Sequence, residues 1–125
     1  MHGKRIKLIF YARGSYLKVE YSVLETIGIV KIEGNVNLYE LHMMRDAFED
    51  FQDKPLTKVI LDLSGVDYID SSGIGLLIAQ ATKYRDKKIK FYLASINKSI
   101  EHVFKVTSFA KLFLKSESLD DAIKE

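Results

Sequence analysis

Asp70, Ser71 and Ser72 place one carboxylate and two hydroxyls side by side, followed at once by Gly73-Ile74-Gly75. The apolar residues Val59, Ile60, Leu61 and Leu63 read as a buried strand before them, running on through Ser64-Gly65 and a short extended piece. An apolar helical pattern follows them, so the hydroxyls fall between the carboxyl side of a strand and the amino end of a helix. That helix end carries unpaired backbone N–H groups and partial positive charge, which suits an anion. A serine there can be reached by another protein, and the fold would tolerate a phosphate attached to it. The N–H groups of Gly73 and Ile74 are expected to face such a phosphate. Ser71 and Ser72 are equally the residue type that caps any helix. Asp70 either favours the helix dipole or orients the serine and the incoming phosphate. Gly73 and Gly75 either permit tight turning and helix–sheet packing or let a partner approach the backbone.

Other chemistries lack their residues. A nucleophile elbow centred on Ser71 needs glycine where Ile69 stands. The downstream histidine, His102, lies on a predicted helix and reads as a surface residue. Asp62, Asp67 and Asp70 have no second ligand cluster for a hard metal, and His2, His42 and His102 lack ligand spacing. Gly73-Ile74-Gly75 meets Ile78 where a dinucleotide loop has its third glycine, and no Gly-Lys-Ser/Thr phosphate loop exists. The expectation is a protein without catalytic residues, metal or cofactor.

The elements that must position the serine pair fit one compact domain. The chain has 125 residues, 47% of them apolar, enough for a single core. Nineteen Lys+Arg against 17 Asp+Glu leave a net +2, which favours neither nucleic acid nor a membrane surface. The basic run Lys83-Tyr84-Arg85-Asp86-Lys87-Lys88-Ile89-Lys90 reads as a solvated helix end. With no cysteine there is no disulfide, which suits a reducing cytoplasm. No apolar run has the length of a signal-peptide core or a membrane helix, so a soluble protein is expected.

Strands are predicted over residues 6–12 and 16–23, joined by a hairpin loop at Arg13-Gly14-Ser15, and over 27–32, ending at Gly34. Asn37 and Glu40 have the spacing of a capping box before a helix with Leu41, Met44, Phe48 and Phe51 on one face, broken at Lys54-Pro55. A helix over 72–85 carries Ile74, Leu77, Ile78 and Ala81 on one face, and a strand over 89–94 follows. Asn97 is placed to cap a helix with Ile100, Val103 and Phe104, residues 111–115 suit a closing strand, and Ser118 with Asp121 has capping spacing. Phe48, Phe51, Phe104 and Phe113 suit the core. This alternation predicts an α/β fold with a mixed, mostly parallel sheet. If the strands ending near Gly34, Ile69 and Ala94 lie parallel, their loops (35–37, 70–75 and 95–99) share one edge, centred on Ser71.

Residues 59–80 resemble the signature of the STAS domain family, which includes bacterial anti-sigma factor antagonists. The resemblance rests on Asp62-Leu63-Ser64 ending a strand and on Asp70-Ser71-Ser72-Gly73-Ile74-Gly75 opening an apolar helix. Weaker similarity runs from about Leu17 onward, through Gly34, Leu112-Phe113 and Leu119-Asp120-Asp121-Ala122. It implies a single STAS-like domain over 17–125, with 1–16 as an N-terminal strand extension that adds an edge strand or serves a homodimer contact. It further implies an anti-sigma factor antagonist that binds a kinase-type anti-sigma factor and so releases a sigma factor. Ser71 would be the phosphorylated serine, with a phosphatase reversing the modification. Asn35, Asn37, Asp70, Ser72, Gly73, Ile74 and Gly75 would form the partner-binding surface. The family also allows a scaffold in a stress-signalling complex or a lipid-transporter subunit without phospho-switching. Many members carry an acidic residue soon after the glycine matching Gly34; here the loop reads Gly34-Asn35-Val36-Asn37, and Asn37 keeps a capping oxygen without the charge.

Overall fold

Strand β4 (Lys58–Ile69) runs through the middle of the molecule, and its 12 residues carry the chain to the serine pair. In the computed structural model, the described residues are 5–11, for which only the backbone is described, together with 17–38, 41–106, 108 and 110–125. β1 (Arg5–Tyr11), β2 (Lys18–Leu24), β3 (Ile27–Val36), β4, β5 (Lys90–Ala94) and β6 (Leu114–Ser116) make one six-stranded sheet in sequence order. The pairs β1–β2 and β2–β3 are antiparallel, while β3–β4, β4–β5 and β5–β6 are parallel. The sheet is therefore mixed and mostly parallel, as the alternation of elements predicts. The expected loop at Arg13-Gly14-Ser15 lies outside the described residues.

Helices α1 (Leu41–Asp50), α2 (Ser71–Asp86) and α3 (Lys98–Lys105) contribute to the larger apolar cluster, with a 3₁₀ turn at Ala110–Leu112; α4 (Leu119–Lys124) belongs to a second cluster. The strand pleat separates the two clusters. Val59 and Leu61 join Phe91 and Leu93 in the larger, whereas Ile60 joins Tyr92, Ala94 and Ala122 in the smaller. Burial on both faces explains why Val59-Ile60-Leu61 of β4 and Phe91-Tyr92-Leu93-Ala94 of β5 read as apolar runs without alternation. The amphipathic face of α1 is buried as its spacing requires, with Leu41, Met44 and Phe48 in the core and Phe51 just beyond the helix. Phe104 and Phe113 meet at 5.0 Å between ring centroids, so the four phenylalanines expected in the core are all there.

Two sequence boundaries shift. β3 continues past Gly34 to Val36, so Asn35 and Val36 lie in a strand rather than a loop. Gly34 adopts φ 110°, and the β3–β4 register slips on either side of it, so Val36 still reaches Ile69. Gly65 permits this approach, since a Cβ there would stand 2.8 Å from Glu33 Cγ. Near the carboxyl end, the predicted strand over 111–115 is instead the 3₁₀ turn followed by β6.

Lys58 holds α4 in place. It is 7% exposed, and its Nζ donates to the carbonyls of Ala122 at 2.7 Å and of Glu125, over the Tyr92 ring at 5.2 Å. A buried ammonium thus satisfies carbonyls that a helix end leaves without partners.

Candidate functional site

β4 ends where Asp70 donates its N–H to the Val36 carbonyl at 3.0 Å. Asp70 is in extended backbone (φ −83°, ψ 177°) and caps α2, its Oδ1 accepting from Gly73 N at 3.0 Å and from the Ser72 hydroxyl at 2.5 Å. Its Oδ2 accepts from Leu38 N at 3.1 Å. The bond from the Ser72 hydroxyl does most to hold the Asp70 carboxyl below its usual value; burial, next in size, opposes it, and the Gly73, Leu38 and Ser72 amides each lower it further. The cap of α2 is therefore the carboxylate, with Ser72 locked against it.

Ser71 is the first residue of α2, and it is exposed. The hydroxyl stands where another protein can reach it. The expected phosphate cradle needs correction, however. Gly73 N is occupied by the Asp70 carboxylate, and Ile74 N donates to the Asp70 carbonyl at 3.0 Å as the first regular helical bond. Neither amide waits for an anion, because Asp70 already supplies one at the same helix end.

The other candidate partner-binding residues separate by exposure. Asn35 is exposed and Asn37 half-buried, on either side of Val36 and so beside the Asp70 turn. Gly73 is buried, and a Cβ there would stand 2.7 Å from Ile69 Cγ2 and 2.9 Å from Val36 Cγ1. Its missing side chain serves close packing of α2 on the sheet. Ile74 is 7% exposed and lines a shallow pocket of about 80 Å³ with Tyr68, Ile69, Ile100 and Val103. Gly75 is exposed, and a Cβ added to it would meet nothing within 4 Å, so it leaves bare helix surface. The proposed capping partner of Asn37, Glu40, lies outside the described residues.

The three loops do leave the same edge, because β3, β4 and β5 are parallel, but not at one level. β5 pairs only as far as Asp62↔Ala94, whereas β4 continues to Ile69 against β3. The loop over 95–99 is accordingly set back from Ser71. Asn97 meets the flank of β4 instead, donating Nδ2 to Val66 O at 3.1 Å while its Oδ1 caps α3 through Ile100 N at 2.8 Å. The surface centred on Ser71 is built from the ends of β3 and β4 and the start of α2, with α3 alongside.

Sequence reasoning missed three exposed apolar side chains in this region. Leu38 (63% exposed) is held by Asp70, and Tyr68 (57%) and Val103 (37%) line the shallow pocket. A tyrosine two residues before the Asp-Ser-Ser run was the available signal, since β4 runs past the end of β5 and its tip is less covered, with Ser64, Gly65, Asp67 and Tyr68 all exposed. His102 is exposed on α3. Among the described residues, no group of three His, Asp or Glu side chains could hold a metal ion, and no helix is long and apolar enough to cross a membrane.

A family model described as the STAS domain matches residues 18–122. A Thermotoga maritima protein, provisionally named an anti-sigma factor antagonist, is 24% identical over 106 residues, covering 84% of this chain and 94% of its own. The crystal structure of an antagonist so named from T. maritima aligns with a TM-score of 0.75 at 23% identity, covering 83% of this chain and 90% of that one. The Bacillus cell fate determinant SpoIIAA, solved in its phosphorylated form, aligns with a TM-score of 0.67 at 17% identity over 86% of this chain and 96% of that one. These structural likenesses concern the fold.

Proposed function

The chain belongs to the STAS domain family, and on that footing we propose that it is an anti-sigma factor antagonist switched by reversible phosphorylation of Ser71. The observation that carries this reading is the exposed Ser71 hydroxyl at the first position of α2, where β4 reaches past its neighbour β5. The names of the sequence relatives support it, and so does a relative of the same fold studied in a phosphorylated form.

In this reading the unmodified protein binds a kinase-type anti-sigma factor and releases a sigma factor for transcription. The kinase transfers the terminal phosphoryl of ATP to Ser71 Oγ: a new P–O bond forms as the bond to ADP breaks, and the hydroxyl proton passes to the kinase's own base. A phosphatase hydrolyses the phosphoserine to reset the cycle. The added charge is about −1.5 to −2 at neutral pH. Set beside the Asp70 carboxylate and pressed into an interface, it disfavours docking. Burying a charge without a partner typically costs about 2–5 kcal/mol, or roughly 30- to several-thousand-fold in affinity.

Incubation with ATP and a kinase-type anti-sigma factor of the same genome, followed by peptide mass mapping, tests the reading. Modification at Ser71 that is absent from Ser71→Ala is expected, together with loss of partner binding by Ser71→Asp. Undiminished binding by Ser71→Asp defeats the switch. Recovery of transporter components in place of a kinase from a pull-down favours a scaffold role.

A further inference from the structure

Asp70 divides its two carboxylate oxygens between two elements. Oδ1 takes the Ser72 hydroxyl at 2.5 Å and the Gly73 N–H at 3.0 Å, both on α2. Oδ2 takes the Leu38 N–H at 3.1 Å, on the segment that leaves β3. One side chain therefore fastens the start of α2 to the end of β3. Hydrogen bonds, the Ser72 hydroxyl first, together with burial are the main influences on the acidity of Asp70.

A phosphoryl group on Ser71 starts one residue from this carboxylate and needs the same first-turn amides. One set of donors then faces two anions, and a phosphate of about −1.5 to −2 with three strong acceptor oxygens is the stronger competitor. We infer that Asp70 is a positioning residue through which charge at Ser71 reaches the neighbouring segment: phosphorylation displaces the carboxylate from the first turn of α2 and, with it, from the Leu38 N–H. The inference rests on the reading of Ser71 as the modified residue. It adds a second component to the switch. Leu38 is 63% exposed, so a partner lying across Ser71 and Leu38 meets an unfavourable charge and, beside it, an apolar contact whose backbone has been released.

The experiment uses the full chain, 15N-labelled, and requires neither kinase nor partner. Wild type, Asp70→Asn, Ser71→Ala and a protein with phosphoserine genetically encoded at position 71 are compared by the shift and hydrogen exchange of the Leu38 and Gly73 amides. Asparagine keeps one oxygen to cap α2 and puts an NH2 group in place of the second. Its Leu38 amide is expected to move upfield and exchange about tenfold faster, as befits losing a bond to a charged acceptor. The phosphoserine protein is expected to reproduce that change at Leu38 while Gly73 stays protected, its acceptor now the phosphate. Ser71→Ala is expected to leave Leu38 as in wild type, which separates an effect of charge from an effect of losing the hydroxyl. A Leu38 amide that keeps its wild-type shift and rate in the phosphoserine protein overturns the inference, as does an unchanged Leu38 in Asp70→Asn. Neither outcome bears on whether a kinase acts at Ser71, which mass mapping decides separately.

Discussion

Alanine at Gly73 and alanine at Gly75 are expected to move stability in opposite directions, although the two positions are two residues apart on one helix. Glycine in a helix is about 0.5–1 kcal/mol less favourable than alanine, so either substitution gains up to that amount from the backbone. At Gly75 nothing opposes the gain, because an added methyl meets open space. At Gly73 the methyl would stand 2.7 Å from Ile69 Cγ2 and 2.9 Å from Val36 Cγ1, on two neighbouring strands whose side chains are themselves buried. Overpacking of this kind costs about 1–3 kcal/mol, and the backbone gain is at its smallest in the first turn, so a net loss of roughly 1–2 kcal/mol is expected. For a chain of this size each kcal/mol is worth roughly 4 °C in melting temperature. Urea denaturation followed by circular dichroism measures both variants. Gly73→Ala and Gly75→Ala shifting the midpoint in the same direction would refute the packing assigned to Gly73.

Four further outcomes follow from the same geometry. Asp70→Ala is expected to lose about 1 kcal/mol with the α2 cap, measured by urea titration at neutral pH. The Asp70 carboxyl is held below its usual 3.8, chiefly by the Ser72 hydroxyl, so its contribution is complete above about pH 4 and is lost as the pH falls through its lowered folded value; the stability difference between wild type and Asp70→Asn should shrink across that acid range. Lys58→Met is expected to cost about 1–3 kcal/mol by freeing the carbonyls of Ala122 and Glu125, with faster hydrogen exchange confined first to α4. Burial pushes the Tyr84 hydroxyl's pKa up, against a smaller opposing effect of a hydrogen bond with the Gln80 side chain, so Tyr84→Phe, which removes the buried hydroxyl together with that bond, should stay within about 1 kcal/mol of wild type in thermal melts.

How much of this was readable without coordinates depends on whether the deciding forces are local. Asn97 and Ser118 were legible as caps because a cap is a contact between neighbours three residues apart, and both accept the expected N–H. The core face of α1 was legible because periodicity alone orients a helix. The extent of β3 was not, since its continuation to Val36 depends on Gly34 taking a positive φ to stay beside β4. Lys58 was not legible either: a lysine opening an apolar strand looks solvated until α4 arrives 64 residues later to receive it.

The amino-acid order alone determined that a serine would stand between a buried strand and a helix, since hydrophobic pattern and residue type decide where such elements start and stop. Only the tertiary structure decided which groups at that junction are free. Val36 and Leu38 come from a different part of the chain, and their arrival beside Asp70 buries Gly73 and commits the carboxylate to both elements. Exposure and hydrogen-bond occupancy are properties of the assembled surroundings, so Ser71 stays open where its equally polar neighbour Ser72 is taken.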